Sequence, residues 1–177
     1  HEKIIKAYET EMSSLLSTVL RELPEDHPER AAAEAGFTNG RMLLEFKRSG
    51  VFKCRYVLQG FKENKLKLDG PDFDYSSNVV GITAVRMMML GCRPSDHAVA
   101  QRDISTAFLQ SHPFPEDAPP RYVRLKDPVT GVMRFFRQLG PIYGSNSAPK
   151  YWEETLHPWL TSIGFVQGKN EPCLFRH

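Results

Sequence analysis

Asp103 is a lone acid at the end of an otherwise apolar, strand-like stretch, His97 to Ile104, within the segment QRDISTAFLQ. A buried strand end is a costly place for an unpaired carboxylate. Three uses would justify one there: a metal-binding or catalytic role, a structural ion pair, or a place beside a helix start capped by Ser105 or Thr106. The residues alone leave all three open. A second candidate is the pair Lys53 and Arg55 in VFKCRYVLQ. In a strand, alternation puts Lys53, Arg55 and Val57 on one face and Phe52, Cys54, Tyr56 and Leu58 on the other, so two cations are aimed the same way.

Other chemistries are excluded by spacing. The run from Gly164 to Asn170 looks like a phosphate loop but has the wrong spacing and lacks the Ser or Thr that should bind magnesium. No zinc-protease His pair or nucleophile elbow occurs. The histidines (His1, His27, His97, His112, His157, His177) form no ligand cluster, and Cys54, Cys92 and Cys173 have neither zinc spacing nor a disulfide framework. The methionines of VVGITAVRMMML read as core packing.

The elements that must position these residues follow from periodicity. Ile4, Ile5, Tyr8, Met12, Leu15, Leu16, Val19 and Leu23 predict a helix over residues 3–23, ended by Pro24. Residues 24–40 read as a linker, with a short helix at Glu29 to Ala35. RMLLEFK and VFKCRYVLQ predict a β-hairpin whose Arg-Ser-Gly turn lets Gly50 take a positive φ. Residues 79–90 predict a buried helix. RYVRLK and VMRFFRQ form a second hairpin across Asp127 to Gly131. A helix follows with Ser147 as N-cap, Pro149 in its first turn, Pro158 as an internal kink and Gly164 beyond its end. PCLFRH reads as a closing strand.

Composition narrows the class. With 177 residues, 41% hydrophobic and 25% charged, the chain is long enough for one core or part of a larger domain. The net charge is only +2, yet residues 41–67 hold eight Lys or Arg against Glu45 and Glu63, while residues 1–40 hold eight acids against four bases. Basic residues interleaved with Phe46, Phe52, Tyr56 and Phe61 suit a phosphate-bearing partner, since cations displace counterions and rings stack on bases. An ordinary solvated hairpin accounts for them equally well. There is no membrane-span-like run and no signal peptide. A reduced, intracellular protein is expected, and a start at His1 with a stop after a strand-like segment reads as a fragment.

The order of KCRYVLQGF at 53–61, FDYSSNVVGITAVR at 73–86, QRDISTAFLQ at 101–110, PIYGSNSAPKYW at 141–152 and LTSIGFVQGKNEPCLF at 160–175 resembles the reverse transcriptase domain of Ty1/copia-type retrotransposon polyproteins. The resemblance covers about residues 41–177, with 1–40 an N-terminal helix and linker. It implies an α+β fold: the fingers and partial palm of a right-hand polymerase, an antiparallel sheet with packed helices, stopping before the strand of the second catalytic motif. It also implies RNA-directed DNA polymerase activity with RNA template, DNA primer and dNTP as partners. Two Mg2+ ions would be held by Asp103, the Ile104 carbonyl and further carboxylates. Backbone amides of Ser105, Thr106 and Ala107 would contact the triphosphate, and Phe108 would be the steric gate against a ribose 2′-hydroxyl, or else simple core packing. Lys53 and Arg55 would hold the incoming triphosphate. Tyr143, Gly144, Ala148 and Pro149 would run beneath the nascent base pair and template, though helix packing also explains the last two.

Departures from the family pattern matter. The family usually carries Arg at Gln59, Lys at Ser105 and a Lys-Gln pair at Asn146 and Ser147. Its Tyr-Val-Asp-Asp turn, which supplies the other carboxylates, is expected shortly after Phe175. Activity is therefore expected only with the remaining palm, thumb and ribonuclease H regions of the polyprotein, in cytoplasmic particles or the nucleus. The alternatives are a decayed or repurposed fragment that binds nucleic acid without catalysis, and a structural or interaction module with no nucleic-acid role.

Overall fold

The computed structural model describes residues 2–92 and 98–177. Helix α1 (Glu2–Thr18) buries Tyr8, Met12 and Leu15 along one stripe. The periodicity predicted a helix to residue 23, but the chain becomes extended after Thr18. Leu20–Glu22 form strand β1 instead, antiparallel to a strand over Met133–Gln138. In a strand, Leu20 and Leu23 reach opposite faces of the sheet, and each is buried in a different cluster. A remote strand partner overrides a helical pattern that Thr18 and Val19 support only weakly.

Between β1 and the first hairpin lies the short helix α2 (Arg30–Ala35). The hairpin comprises β2 (Thr38–Phe46) and β3 (Phe52–Leu58), in the expected register with Leu44 opposite Cys54 and Met42 opposite Tyr56. Its turn is closed by Gly50 N–H donating to the Lys47 carbonyl (2.9 Å), with Gly50 at φ 80°. The second hairpin, β4 (Arg121–Lys126) and β5 (Met133–Gln138), also matches expectation. Asp127 organises its turn by accepting from the N–H groups of Val129 (2.8 Å) and Thr130 (3.0 Å) and from the Tyr8 hydroxyl (2.8 Å).

The sheet runs β1-β5-β4-β2-β3. It is mixed, not antiparallel throughout, because β2 meets β4 in parallel at Thr38–Val123 and Asn39–Arg124. Alternation on β4 and β5 sends Val123, Leu125 and Phe136 into a core with α1, and sends Tyr122 and Phe135 to the other face beside Ala33 of α2 and Phe37. Helices therefore cover both faces, and α1 shares the main core with the hairpin.

Helix α3 (Lys65–Asp69) is capped by Asn64, whose side chain accepts from Lys67 N–H (3.1 Å). Its Asp69 is tied to the buried guanidinium of Arg121. Helix α4 (Ile82–Gly91) has no buried residue. The expectation of a buried helix over 79–90 is thus overturned: Met87, Met88, Met89 and Leu90 face outward, so they are not core packing here. Helix α5 (Ala148–Ser162) begins after Ser147, continues through Pro158, and is followed by Gly164 at φ 97°. Ser147 holds the N-cap position, but its hydroxyl makes no cap bond and is buried without a partner among the described residues. Strands β6 (Val166–Gln167) and β7 (Phe175–Arg176) form a small separate ribbon. No helix among the described residues is long and apolar enough to cross a membrane.

One close crossing depends on two glycines. A Cβ on Gly60 would collide with the Gly144 carbonyl oxygen, and one on Gly144 with the Leu58 carbonyl. Gly144 also lies at φ 85°. Gly60→Ala should therefore destabilise the protein by at least about 2 kcal/mol in urea unfolding. A destabilisation no larger than that of Gly36→Ala, where a Cβ meets nothing, would mean that the crossing tolerates a side chain.

Candidate functional site

β3 is the edge strand of the sheet, and its outer backbone groups are met from two directions. Tyr56 N–H donates to the Glu11 carboxylate of α1 (3.0 Å), and Leu58 N–H donates to the Tyr143 carbonyl (2.8 Å). The hairpin, α1 and the segment before α5 are thereby held together. The Tyr143 ring lies against Phe108 (centroids 5.8 Å apart), which brings in the segment after Asp103.

On β3 the alternation is as expected: Cys54, Tyr56 and Leu58 are buried, Lys53 is half-buried and Arg55 exposed. The two cations have different neighbours. Arg55 forms an ion pair with Glu45 across the hairpin (3.7 Å). Lys53 lines a cleft of about 530 Å³ between α1 and β3, together with Lys3, Lys6, Glu11 and Thr106. Two of the residues matched to triphosphate contacts, Lys53 and Thr106, therefore share one cavity.

The Asp103 region differs from the sequence expectation. His97 lies outside the described residues, and residues 98–104 form no strand because they pair with no neighbour. Asp103, Ile104 and Ser105 are exposed, so the Asp103 carboxylate bears no burial cost. The chain then turns sharply. Thr106 sits at φ 53° and ψ 36°, the sole non-glycine with positive φ among the described residues, before a 3-10 turn over Ala107–Gln110. A β-branched residue in that region is strained by about 1–3 kcal/mol, and such strain gathers at functional sites. The Ser105 carbonyl accepts from the Gln110 side chain (2.7 Å), Leu109 enters the core, and Ala107 and Phe108 are half-buried.

In the segment before α5, Gly144 is exposed, Tyr143 and Pro149 are half-buried, and Ala148 is 1% exposed, with its methyl turned into the protein. Asn146 is drawn inward: its backbone N–H and its side chain donate to Glu63 (both 3.0 Å), and the side-chain amide also bonds the Gly60 carbonyl. The Gln59 side-chain oxygen is buried with no partner among the described residues.

The two Mg2+ ions implied by the resemblance need more donors than the fold assembles. Among the described residues no group of three His, Cys, Asp or Glu side chains is placed to hold a metal. Asp103 and the Ile104 carbonyl supply one carboxylate and one carbonyl. A two-ion site needs several hard oxygen ligands around both ions. These residues alone do not fit it.

Glu11 escaped the sequence reading, although an acid inside the apolar stripe of Tyr8, Met12 and Leu15 was its visible signal. It is 8% exposed. Burial pushes its carboxyl up, partly offset by the Tyr56 N–H bond and by the Lys53 and Arg55 cations. The folded chain therefore holds this proton more tightly than the unfolded chain. The stability this contributes is fully present below the ordinary carboxylate pKa and is lost as pH rises through the raised one. Glu11→Gln keeps an acceptor for Tyr56 N–H, and should flatten this part of the pH dependence of urea unfolding. Glu11→Ala leaves that N–H unpaired and should cost about 1–3 kcal/mol. A pH profile unchanged by Glu11→Gln would refute the linkage.

No protein-family model matches the chain, and no solved structure matches it. Curated proteins do. The Transposon Ty1-DR4 Gag-Pol polyprotein of Saccharomyces cerevisiae is 24% identical over 179 aligned residues, covering 99% of this chain and 11% of the polyprotein. The Transposon Ty1-LR2 and TyH3 Gag-Pol polyproteins of the same organism are each 24% identical over 99% of the chain and 10% of their own length. The chain spans about a tenth of the length of these relatives. It is thus distantly similar, along nearly all of its own length, to the Gag-Pol polyproteins of Ty1 transposons.

Proposed function

We propose that this chain is a segment of the RNA-directed DNA polymerase of a copia-type retroelement polyprotein, comprising fingers and the beginning of the palm. The observation that carries this reading is the shared cleft of Lys53 and Thr106, because these residues come from two sequence blocks that each resemble a nucleotide-contacting motif. The contact of Phe108 with Tyr143 links a third block to them, and the similarity to Ty1 Gag-Pol polyproteins supports the same reading.

In this reading Lys53 holds the phosphates of an incoming dNTP through charge-assisted hydrogen bonds, with Arg55 beside it. Backbone amides of Ser105, Thr106 and Ala107 approach the same phosphates. Phe108 lies against Tyr143 and acts as the steric gate against a ribose 2′-hydroxyl. Tyr143, Gly144 and Pro149 lie along the path of primer and template. Asp103, exposed to solvent, is one of the carboxylates a nucleotidyl transferase requires. The chain contains no Tyr-Val-Asp-Asp sequence, so the transfer itself belongs to a longer polyprotein segment.

Asn146 favours a second reading, a decayed or repurposed nucleic-acid-binding fragment. Where the family has a cation, this side chain is engaged with Gly60 and Glu63 and offers nothing to a phosphate. The next stretch of the source reading frame separates the two, since an intact aspartate pair supports the polymerase and a stop codon or lost pair supports decay.

A polyprotein segment extended through the missing motif should perform magnesium-dependent primer extension on an RNA template. Asp103→Asn should lower the rate by about a hundredfold or more, because it removes a charged group at the reacting atoms. Extension that survives this change would sink the Asp103 assignment. In the same assay Phe108→Ala should admit ribonucleotides, and unchanged selectivity would reduce Phe108 to a packing residue.

A further inference from the structure

Helix α1 lies outside the blocks that carry the resemblance, yet it forms one wall of the cleft that contains Lys53 and Thr106. Its contribution follows from helical spacing. Lys3, Lys6, Ala7, Thr10 and Ser14 occupy one face, and the short side chains of Ala7, Thr10 and Ser14 leave the gap that the lysines overhang. Across it stand Lys53 and Thr106.

The charges in the cleft are unbalanced. Its one acid, Glu11, is engaged by the backbone of Tyr56. Among the described residues none of Lys3, Lys6 and Lys53 forms an ion pair, whereas Arg30, Arg55, Arg121, Arg134, Arg137 and Lys150 all do. Three ammonium groups on one cavity, none of them ion-paired among the described residues and only Lys53 near its single carboxylate, are a site for an anion carrying several charges. A cavity of about 530 Å³ falls within the size range of small-molecule sites.

We propose that α1 is a working wall of a phosphate-binding cleft, in which Lys3 and Lys6 act with Lys53 on consecutive phosphate groups. The ligand is the polyphosphate tail of a nucleotide or the phosphodiester run of a nucleic-acid strand, which present the same chemistry. The assignment deepens the polymerase reading and rests on it for the identity of the ligand. It gives the N-terminal helix a binding role beyond its packing.

The test titrates the full chain with sodium tripolyphosphate in EDTA buffer by calorimetry, and with a labelled single-stranded RNA by fluorescence anisotropy. The paired substitutions Lys3→Glu and Lys6→Glu should weaken binding by about tenfold or more and reduce its salt dependence, since a phosphate that is no longer neutralised keeps its condensed counterions. Both lysines are exposed, and circular dichroism should stay native. Lys3→Gln with Lys6→Gln should weaken binding less, in the same direction. Lys169→Glu, on an exposed loop away from the cleft, should change nothing. Competition between the two probes assigns the cleft to both sources. RNA binding that depends on Lys3 and Lys6 without tripolyphosphate binding assigns it to a strand. Affinities unchanged by both lysine pairs, or equally weakened by Lys169→Glu, would overturn the proposal. Absence of primer extension by the extended polyprotein segment, with cleft binding intact, would instead count against the polymerase reading alone.

Discussion

An edge strand presents a row of unpaired backbone groups, and how that row is satisfied governs what can pack beside it. In this protein the outer edge of β3 is met by the Glu11 carboxylate at Tyr56 and by the Tyr143 carbonyl at Leu58. The first bond sets α1 against the hairpin. The second draws in the chain before α5, and Tyr143 carries Phe108 with it. Three segments far apart in sequence are thus registered against one strand, and the cleft between α1 and β3 is a product of that registration.

The second bond also explains the glycines. Backbone can reach the β3 edge only if nothing projects at the crossing, and Gly60 and Gly144 remove the obstacle. Asn146 then fastens the crossing to Glu63, whose carboxyl is itself pushed up by burial and pulled back by the Asn146 bonds and the Arg121 cation. Asn146 is therefore part of the framework of the crossing. Below it, Arg121 and Asp69 tie the start of β4 to α3, and the Phe114 ring lies over the Arg121 guanidinium at 3.9 Å.

Features set by local pattern were legible. Both hairpins, the positive φ of Gly50 and the span of α5 follow from alternation, turn chemistry and a Pro-to-Gly bracket. Features that depend on a partner were not. Residues 98–104 have strand composition but no strand beside them, so Asp103 ends exposed. Helix α4 forms where its residues favour one, but no part of it is buried among the described residues. Ser147 takes the N-cap position its residue type suits but makes no capping bond, because its hydroxyl is turned into the interior.

Local residue order is enough to set the short-range geometry of the candidate site: Lys53 and Arg55 on one face of a strand, and the order of the blocks that resemble a polymerase. Which of those residues meet depends on the folded chain. It sent Arg55 to Glu45 and Lys53 to a cleft with Thr106, and added Lys3 and Lys6 from a helix the motifs do not include. The physical reason is range. Side-chain direction along a strand follows from the backbone repeat of two residues, whereas the company a side chain keeps is fixed by hydrogen bonds such as those of Glu11 and Tyr143, made across long stretches of chain.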